Sequence, residues 1–308
     1  MKRCIFLVAN KKSETQCANL IYSIRQSGCT LPINLIHFGG EEISSDFIKS
    51  EVNFMHESDF PEEAISFIDR THEVLTSCPR GFLYRFLALF SDYDEVLYSD
   101  NDIVAMCNWE SLFQYLGDND LVHADLEYTT KGKYNYYKPE VVKEMFGEKA
   151  LESAITAGHI LFKRDQKIID DIYKALDWFK SNHGIPKRHD QSLLHVASLL
   201  GNWKIRNLCK TDNWLSSWAG HFQNNLDIIL KIQAGQRISH LHYSGGTPSG
   251  TAPIDDLLLS NLNKKSRVKV LVSSGLKDLT GISTLKTYHQ KGKNKLKTIL
   301  KNFNSSTE

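Results

Sequence analysis

Two acidic residues separated by one position, Asp100 and Asp102, form the most chemically suggestive pair in this sequence. They follow a β-prone run over residues 94–99, and open α/β sheets bind their ligands beyond the carboxyl ends of the strands. If the strand breaks there, both carboxylates can turn toward one divalent cation that keeps positions open for phosphate oxygens. For an isolated pair, however, a solvated turn with a helix-capping acid is the simpler interpretation.

The segments that must position this pair alternate between strand and helix patterns. Residues 4–9 and 33–38 are strand-like, and the apolar residues between them, over 17–24, recur at helical spacing. A strand, a helix and a strand in 38 residues form a βαβ unit, so these two strands should be parallel. The sequence also predicts helices over 43–49, 82–90, 165–179 and 190–200, strands over 52–55, 121–124, 160–162 and 238–243, and a long loop over 128–138.

Composition excludes several classes of protein. The chain has 308 residues, 41% hydrophobic and 24% charged, which is typical of soluble globular proteins and not of collagen-like, coiled-coil or disordered chains. No apolar run approaches the roughly 18 residues of a membrane span, and the first apolar stretch is shorter than a signal-peptide core. Six scattered cysteines without a CxxC pair favour reduced thiols and give no support to a zinc site. We therefore expect a cytoplasmic location.

The charge is divided unevenly along the chain. Residues 261–308 carry a net charge of +9, whereas residues 1–260 carry −8. Leu296, Ile299, Leu300 and Phe303 interleave at helical spacing with the last lysines. This pattern is typical of a basic helix that lies on an anionic membrane, and a flexible solubilising end explains it equally well. Nucleic acid fits less well as a partner, because the body is acidic.

Four further segments occur in a characteristic order around the acidic pair. They are Leu83-Tyr84-Arg85-Phe86-Leu87, Ala157-Gly158, His189-Asp190-Gln191 and His242-Tyr243-Ser244-Gly245. With these segments, residues 1–250 resemble the family 8 glycosyltransferases, which include bacterial lipopolysaccharide galactosyl- and glucosyltransferases and glycogenin. The resemblance implies an α/β fold of the GT-A class, with a Rossmann-like, mixed but mostly parallel sheet flanked by helices. Residues 1–255 would form the catalytic domain and 256–308 a basic C-terminal helical extension.

The resemblance also implies a metal site. The acids of the D-x-D pair, Asp100 and Asp102, and the histidine of an H-x-x-G segment, His242, would bind Mn²⁺ or Mg²⁺ and so hold the diphosphate of a UDP-sugar. Manganese is favoured because one ligand is nitrogen. The neighbouring His240 is the rival ligand, although the spacing to Gly245 favours His242. Taken alone, His242 is better explained as a structural histidine.

Donor-binding roles follow from the same resemblance. Arg85 would contact the sugar or diphosphate, although it is also explained as a surface cation whose aliphatic stem packs on the core. The end of the first strand, the middle of the D-x-D pair and two small segments would line the donor site: Ala9, Asn10, Asn101, Ala157, Gly158 and Gly245. Thr156 stands where relatives have asparagine, and the strand-one end lacks the aspartate often used toward uracil.

Three residues would act on the sugar itself. Asp125 and Asp190 would bind its hydroxyl groups, and Gln191 would lie near the anomeric carbon. An aspartate that starts a helix is often only an N-cap, so Asp190 has two interpretations. Because Gln191 is a poor nucleophile, we expect front-side displacement with retention, and a sugar adduct trapped on Asp125 or Asp190 would contradict this.

The resulting functional hypothesis is a metal-dependent hexosyltransferase. It would move galactose, glucose or an N-acetylated hexosamine from a UDP-sugar to a glycan or lipid-linked acceptor during lipopolysaccharide or capsule synthesis, with the tail in peripheral contact with the inner membrane face. The alternative is a non-catalytic carbohydrate-binding protein on a GT-A fold. A nucleotidyltransferase is disfavoured because no Gly-rich basic loop follows the first strand.

Overall fold

A computed structural model describes residues 1–126, 135–217, 231–232 and 234–243. Within them, the strands are β1 (Arg3–Ala9), β2 (Ile33–His37), β3 (Asn53–Met55), β4 (Glu95–Ser99), β5 (Ile103–Ala105), β6 (Leu121–His123), β7 (His159–Lys163), β8 (Ile205–Asn207) and β9 (His240–His242). The α-helices are α1 (Glu14–Gln26), α2 (Asp46–Glu51), α3 (Glu62–Val74), α4 (Arg80–Leu83), α5 (Pro139–Phe146), α6 (Gln166–Ser181), α7 (Asp190–Gly201) and α8 (Leu208–Thr211).

Seven of these strands form a mixed sheet in the order β3-β2-β1-β4-β7-β6-β8. β1 is parallel to β2 and to β4, which confirms the predicted βαβ unit. β7 runs antiparallel to both β4 and β6, so its start lies beside the carboxyl end of β4. The expected α/β fold with a mixed, mostly parallel sheet flanked by helices is therefore confirmed.

The core lies on both faces of this sheet. Along β1, Phe6 packs with α3 and α6 on one face, while Leu7 packs with α1 on the other. Both side chains are fully buried. A central parallel strand covered on both faces needs apolar residues at every position, which explains the uninterrupted apolar run at the start of the chain.

A second, two-stranded sheet pairs β5 with β9 in antiparallel orientation, and places Ile103 opposite His242. The sequence analysis predicts β9 but not β5, which has only three residues. This small sheet matters for the site, because it ties residue 242 to the segment that follows β4.

Some predictions differ from the structure or cannot be compared with it. The helix expected over 82–90 is divided into α4 and a 3-10 helix, Tyr84–Phe90. The basic extension over 256–308, Gly245 and most of the predicted loop lie outside the described residues. Among the residues that are described, no helix is both long enough and apolar enough to cross a membrane.

Candidate active site

The carboxyl end of β4 carries Asp100 and Asp102, and β9 brings His242 to them. One ligand atom from each of these three side chains lies within 4.8 Å of the other two, and no other such group of His, Cys, Asp or Glu occurs in the described residues. His242 Nε2 is 3.3 Å from Asp102 Oδ1. Two backbone hydrogen bonds hold the arrangement: Asp100 N donates to Gly158 O, and Tyr243 N donates to Asp102 O.

His240, the rival ligand, contacts different residues. Its ring is fully buried, packs at a tilt against His159 with 4.0 Å between the ring centroids, and places Nε2 3.7 Å from Asp125 Oδ2. His240 and His242 are two positions apart on one strand and therefore share a face, but only the latter reaches the acidic pair. The spacing to Gly245 in the sequence therefore favoured the histidine whose side chain lies near the two aspartates.

Gly158 makes room for this group of ligands. A Cβ atom at this position would lie 2.6 Å from His242 Cε1, closer than side-chain carbons approach other atoms, and 3.0 Å from Asp100 Oδ2, which is a tight contact. The sequence analysis assigns this glycine to contact with a sugar. The structure adds a second reason for it, since any larger residue would displace two of the three converging side chains.

Arg85 is buried and its guanidinium is fully engaged with protein atoms. Nη2 lies 3.1 Å from Asp100 Oδ1, Nη1 lies 2.8 Å from Asp190 Oδ2, and Nε donates to the carbonyl of Phe82. Nη1 also donates to the carbonyl of Ala157, at 2.7 Å. The arginine therefore joins the acidic pair to the first turn of α7, in addition to lining the cavity where the donor role was predicted.

The electrostatics of His242 favour a positive charge beside the two aspartates. Burial raises the pKa of Asp100, although the positive charge of Arg85 opposes that rise. Burial alone would lower the pKa of His242, but its hydrogen bond to Asp102 and the charges of the nearby aspartates outweigh this and raise it. The shift of His242 therefore shows that the aspartates stabilise a positive charge next to them, whereas the shift of Asp100 reflects its burial.

A cavity of about 670 Å³ opens at this edge of the sheet. Of the residues predicted for the site, its lining includes Asn10, Arg85, Asp100, Asn101, Asp102, Ala157, Gly158, Asp190, Gln191 and His242. One continuous cavity therefore contains residues that are distant in the sequence. The lining also contains Lys12, Phe38 and Phe82, to which sequence reasoning assigned no role. Lys12 follows β1, Phe38 follows β2, and Phe82 lies shortly before Arg85. These positions could have identified the three residues from the sequence.

Asp125 and Ala9 do not line this cavity. Asp125 is only 2% exposed; it accepts a hydrogen bond from Thr156 and lies beside His240. Burial by itself would raise its pKa, but the neighbouring histidines outweigh this and lower it to about 2. Ala9 is fully buried within β1. The sugar-binding role of Asp125 and the donor-binding role of Ala9 stay predictions, and Gly245 lies outside the described part of the chain.

The two asparagines in the lining also fix the ends of β1 and β4. Asn10 Oδ1 accepts hydrogen bonds from the backbone N–H groups of Lys12 and Ser13, and so caps the short helix Lys11–Ser13. Asn101 Nδ2 donates to the carbonyl of Val8, at 2.6 Å. The segment after β4 is thereby held against the end of β1, where a ligand would meet both.

Sequence comparison gives a partial match to one family. A family model described as "Mannosyltransferase putative" matches residues 2–117, which is less than half of the chain. No curated protein was found that matches the chain. The matched segment includes β1 to β5 and the acidic pair, but not Gln191 or His242.

Comparison of folds gives matches over most of the chain. The apo structure of the bifunctional glycosyltransferase WbbM has a TM-score of 0.53 and 13% identity, over 88% of this chain and 51% of that one. This chain thus spans about half of the WbbM chain. Galactosyltransferase LgtC with donor and acceptor sugar analogues has a TM-score of 0.52 and 13% identity, over 86% and 99% of the two chains. An active-site mutant of LgtC, in which glutamate replaces a glutamine, has a TM-score of 0.51 and 14% identity, over 83% and 94%. The fold of this chain is that of the GT-A glycosyltransferases.

Proposed function

We propose that this chain is a metal-dependent glycosyltransferase that moves a hexose from a UDP-sugar to a glycan or lipid-linked acceptor. The observation that carries the proposal is the convergence of Asp100, Asp102 and His242 beside a 670 Å³ cavity at the carboxyl edge of the sheet. Open α/β sheets bind ligands at this edge, and a sugar nucleotide fits a cavity of this size. Surface polysaccharide synthesis, as in lipopolysaccharide or capsule, is the setting we propose.

The residues at the site suit Mn²⁺ or Mg²⁺. Two carboxylates and one imidazole are suitable ligands for either ion, and the nitrogen favours manganese. Gly158 supports the fit, because the space that its missing Cβ leaves lies against Asp100 and His242. When bound, the cation would neutralise the charge that develops on the diphosphate as the sugar departs.

The remaining lining residues would bind and orient the donor. Lys12 places a cationic side chain, and Phe82 an aromatic ring that is 53% exposed, on the side of the cavity next to β1 and β2. Asp190 lies on the other side, with its carboxylate held by Arg85, and can accept hydrogen bonds from sugar hydroxyls. Gln191 follows it in the first turn of α7 and would lie next to the anomeric carbon.

Retention by front-side displacement agrees best with these residues. The acceptor hydroxyl oxygen would form the new bond to the anomeric carbon while the bond to the leaving diphosphate breaks, and the hydroxyl proton would pass to the leaving phosphate oxygen. A covalent intermediate needs a carboxylate at the anomeric carbon. Asp125 does not line the cavity, and Asp190 is ion-paired with Arg85, which lowers the nucleophilicity of its oxygens. The amide of Gln191 is a poor nucleophile.

The experiment that tests the proposal measures binding and then turnover. Thermal unfolding with Mn²⁺ is followed in the presence of UDP-galactose, UDP-glucose, UDP-N-acetylglucosamine and GDP-mannose, the last because the matched family is described as mannosyltransferase. A ligand specific to the folded state raises its melting temperature. Hydrolysis of the stabilising nucleotide is then measured with and without EDTA.

Asp102→Asn is the decisive variant, and Asp92→Asn, at an exposed position, is its control. We expect the first to lose Mn²⁺-dependent hydrolysis by at least 100-fold while retaining its fold, and the second to match the wild type. If the wild type binds sugars but hydrolyses no nucleotide with any metal, the non-catalytic carbohydrate-binding alternative is correct.

A further inference from the structure

Gln191 makes one side-chain hydrogen bond that no part of the proposed reaction requires. Its Nε2 donates to Oδ1 of Asn135, at 3.0 Å. Asn135 is completely buried, and among the described residues its own Nδ2 has no hydrogen-bond partner. A buried asparagine with an unpaired amide reduces stability relative to an apolar residue of similar size. Stability therefore does not explain an asparagine at this position, whereas the contact with Gln191 offers a functional explanation.

The backbone around Asn135 is held firmly in place. Lys187 N donates to Asn135 O at 2.9 Å, and Tyr137 N donates to Ile185 O at 2.8 Å. The intervening Tyr136 places its hydroxyl 2.8 Å from Nδ1 of His195, on α7. Asn135 is thus attached on both sides to the segment that leads into α7, so its backbone position does not depend on Gln191.

The contact with Asn135 orients the side-chain amide of Gln191. Because Nε2 is turned toward Asn135, to which it donates one hydrogen bond, the carbonyl oxygen Oε1 is the end left to face the cavity that Gln191 lines. A carbonyl oxygen stabilises the positive charge that develops at an anomeric carbon, whereas an amide N–H group would destabilise it. The two orientations have similar shape, so only a hydrogen-bond partner can choose between them.

We propose that Asn135 is a positioning residue that holds the carbonyl oxygen of Gln191 toward the donor sugar. This inference rests on the proposed function, since it assigns a role within the same site. It gives Asn135 a role in the site, although the α/β fold itself does not require an asparagine at this position. It also connects the cavity to the end of the predicted loop over 128–138.

A double-mutant cycle in transfer or hydrolysis measures this role. The variants are Asn135→Leu, Gln191→Ala and the double variant, assayed with the UDP-sugar that the wild type hydrolyses. We expect Asn135→Leu to lower kcat about tenfold with KM for the donor within twofold, and to have no further effect in the Gln191→Ala background. An equal loss in both backgrounds, a change in KM alone, or no loss would overturn the proposal.

Two further variants separate positioning from folding. Asn135→Asp keeps an acceptor for Gln191 and should retain kcat within about threefold, even if the leucine variant does not fold. Asn34→Leu is the matched control, because Asn34 is also a buried asparagine whose Oδ1 accepts a hydrogen bond from a side-chain amide, and it does not line the cavity. We expect it to lower thermal stability and leave kcat unchanged; a loss of kcat equal to that of Asn135→Leu would overturn the proposal.

A readout independent of turnover distinguishes this proposal from the proposed function. The ¹⁵N side-chain amide signal of Gln191 is identified by its absence in Gln191→Ala. We expect it at the downfield position of a hydrogen-bonded amide in the wild type and in Asn34→Leu, and at the position of solvated glutamines in Asn135→Leu. A wild-type signal at the solvated position would overturn the proposal. If the wild type hydrolyses no nucleotide sugar, the proposed function is wrong. The amide signal would still show which way the side chain of Gln191 is oriented.

Discussion

A glycine is needed at position 158 because neighbouring side chains leave no room for a Cβ atom, and not because of the backbone conformation. A Cβ atom there would meet His242 and Asp100, which the structure brings together on either side of it. We expect Gly158→Ala to weaken Mn²⁺ binding at least tenfold, because the new methyl group separates two of the three converging side chains. Calorimetric titration with Mn²⁺ measures this.

The control for this substitution is Gly40→Ala, since nothing lies within 4 Å of a Cβ atom at that position. It should bind Mn²⁺ as the wild type does. Equal affinities in the wild type and in Gly158→Ala would show that the three side chains do not share a cation.

Single residues also show which features of the site can be predicted from the sequence and which cannot. Asp100, Asp102 and His242 could be grouped from the sequence because their motifs are local and their order along the chain is characteristic. The burial of Asp125 could not be predicted in this way. It depends on Thr156 and on β9, two segments that approach Asp125 only in the folded chain.

At the scale of elements, Arg85 connects three of them. From the 3-10 helix Tyr84–Phe90 it reaches Asp100 after β4 and Asp190 at the start of α7. We expect Arg85→Met to lower the free energy of unfolding by about 3–5 kcal/mol, because it leaves two carboxylates in a largely buried site without their cation. Urea denaturation of the metal-free protein measures this.

Arg70→Met is the comparison for that experiment. Its ion pair with Asp177 is exposed, with 41% and 62% of the two side chains accessible to solvent, and such pairs contribute about 0–1 kcal/mol. If both variants lose the same amount, Arg85 does not have the bridging role that its contacts indicate.

Helix α7 contains a buried histidine that makes stability depend on pH. Burial lowers the pKa of His195 to about 4 in the folded protein, below the 6.5 of an unperturbed histidine. Between these values the unfolded chain binds a proton that the folded chain does not, so the free energy of unfolding falls as pH falls from 6.5 toward 4. The full contribution is about 3 kcal/mol.

His195→Gln tests this dependence, because glutamine can still bond the hydroxyl of Tyr136 and the carbonyl of Ala150. Urea denaturation at pH 7 and pH 4.5 should show a smaller loss of stability in the variant than in the wild type. The same loss in both proteins would contradict the prediction.

Elements with a long, regular pattern were mostly predicted. α6 has a clear apolar stripe and β1 an uninterrupted apolar run, and both lie where the sequence places them. The 13-residue helix α3 was nevertheless missed. Among the three-residue strands, β3, β6 and β9 were predicted and β5 and β8 were not, because three residues are too few for a period to be recognised reliably. The expected helix over 82–90 is split, and Arg85 faces the site from the 3-10 part.

At the scale of the whole molecule, the uneven charge predicts salt-dependent attraction to anionic membranes. Residues 261–308 carry +9 against −8 in the rest of the chain. We expect the full chain to co-sediment with phosphatidylglycerol vesicles at low salt and to dissociate at about 0.5 M NaCl, since each basic residue near the surface contributes about 1 kcal/mol.

A charge-reversed chain is the control for that measurement, with glutamate replacing five lysines: Lys291, Lys293, Lys295, Lys297 and Lys301. It should remain in the supernatant and keep the hydrolytic activity of the wild type. Binding that persists after this change would contradict the membrane interpretation and favour a solubilising tail.

The pairing of β9 with β5 has a consequence for biosynthesis. Asp100 and Asp102 emerge from the ribosome long before His242, which is translated roughly 140 residues later. A nascent polypeptide therefore carries the acidic pair without its imidazole partner while these residues are translated. If the three side chains share a cation as proposed, tight capture of that cation requires a chain that has been translated at least as far as β9.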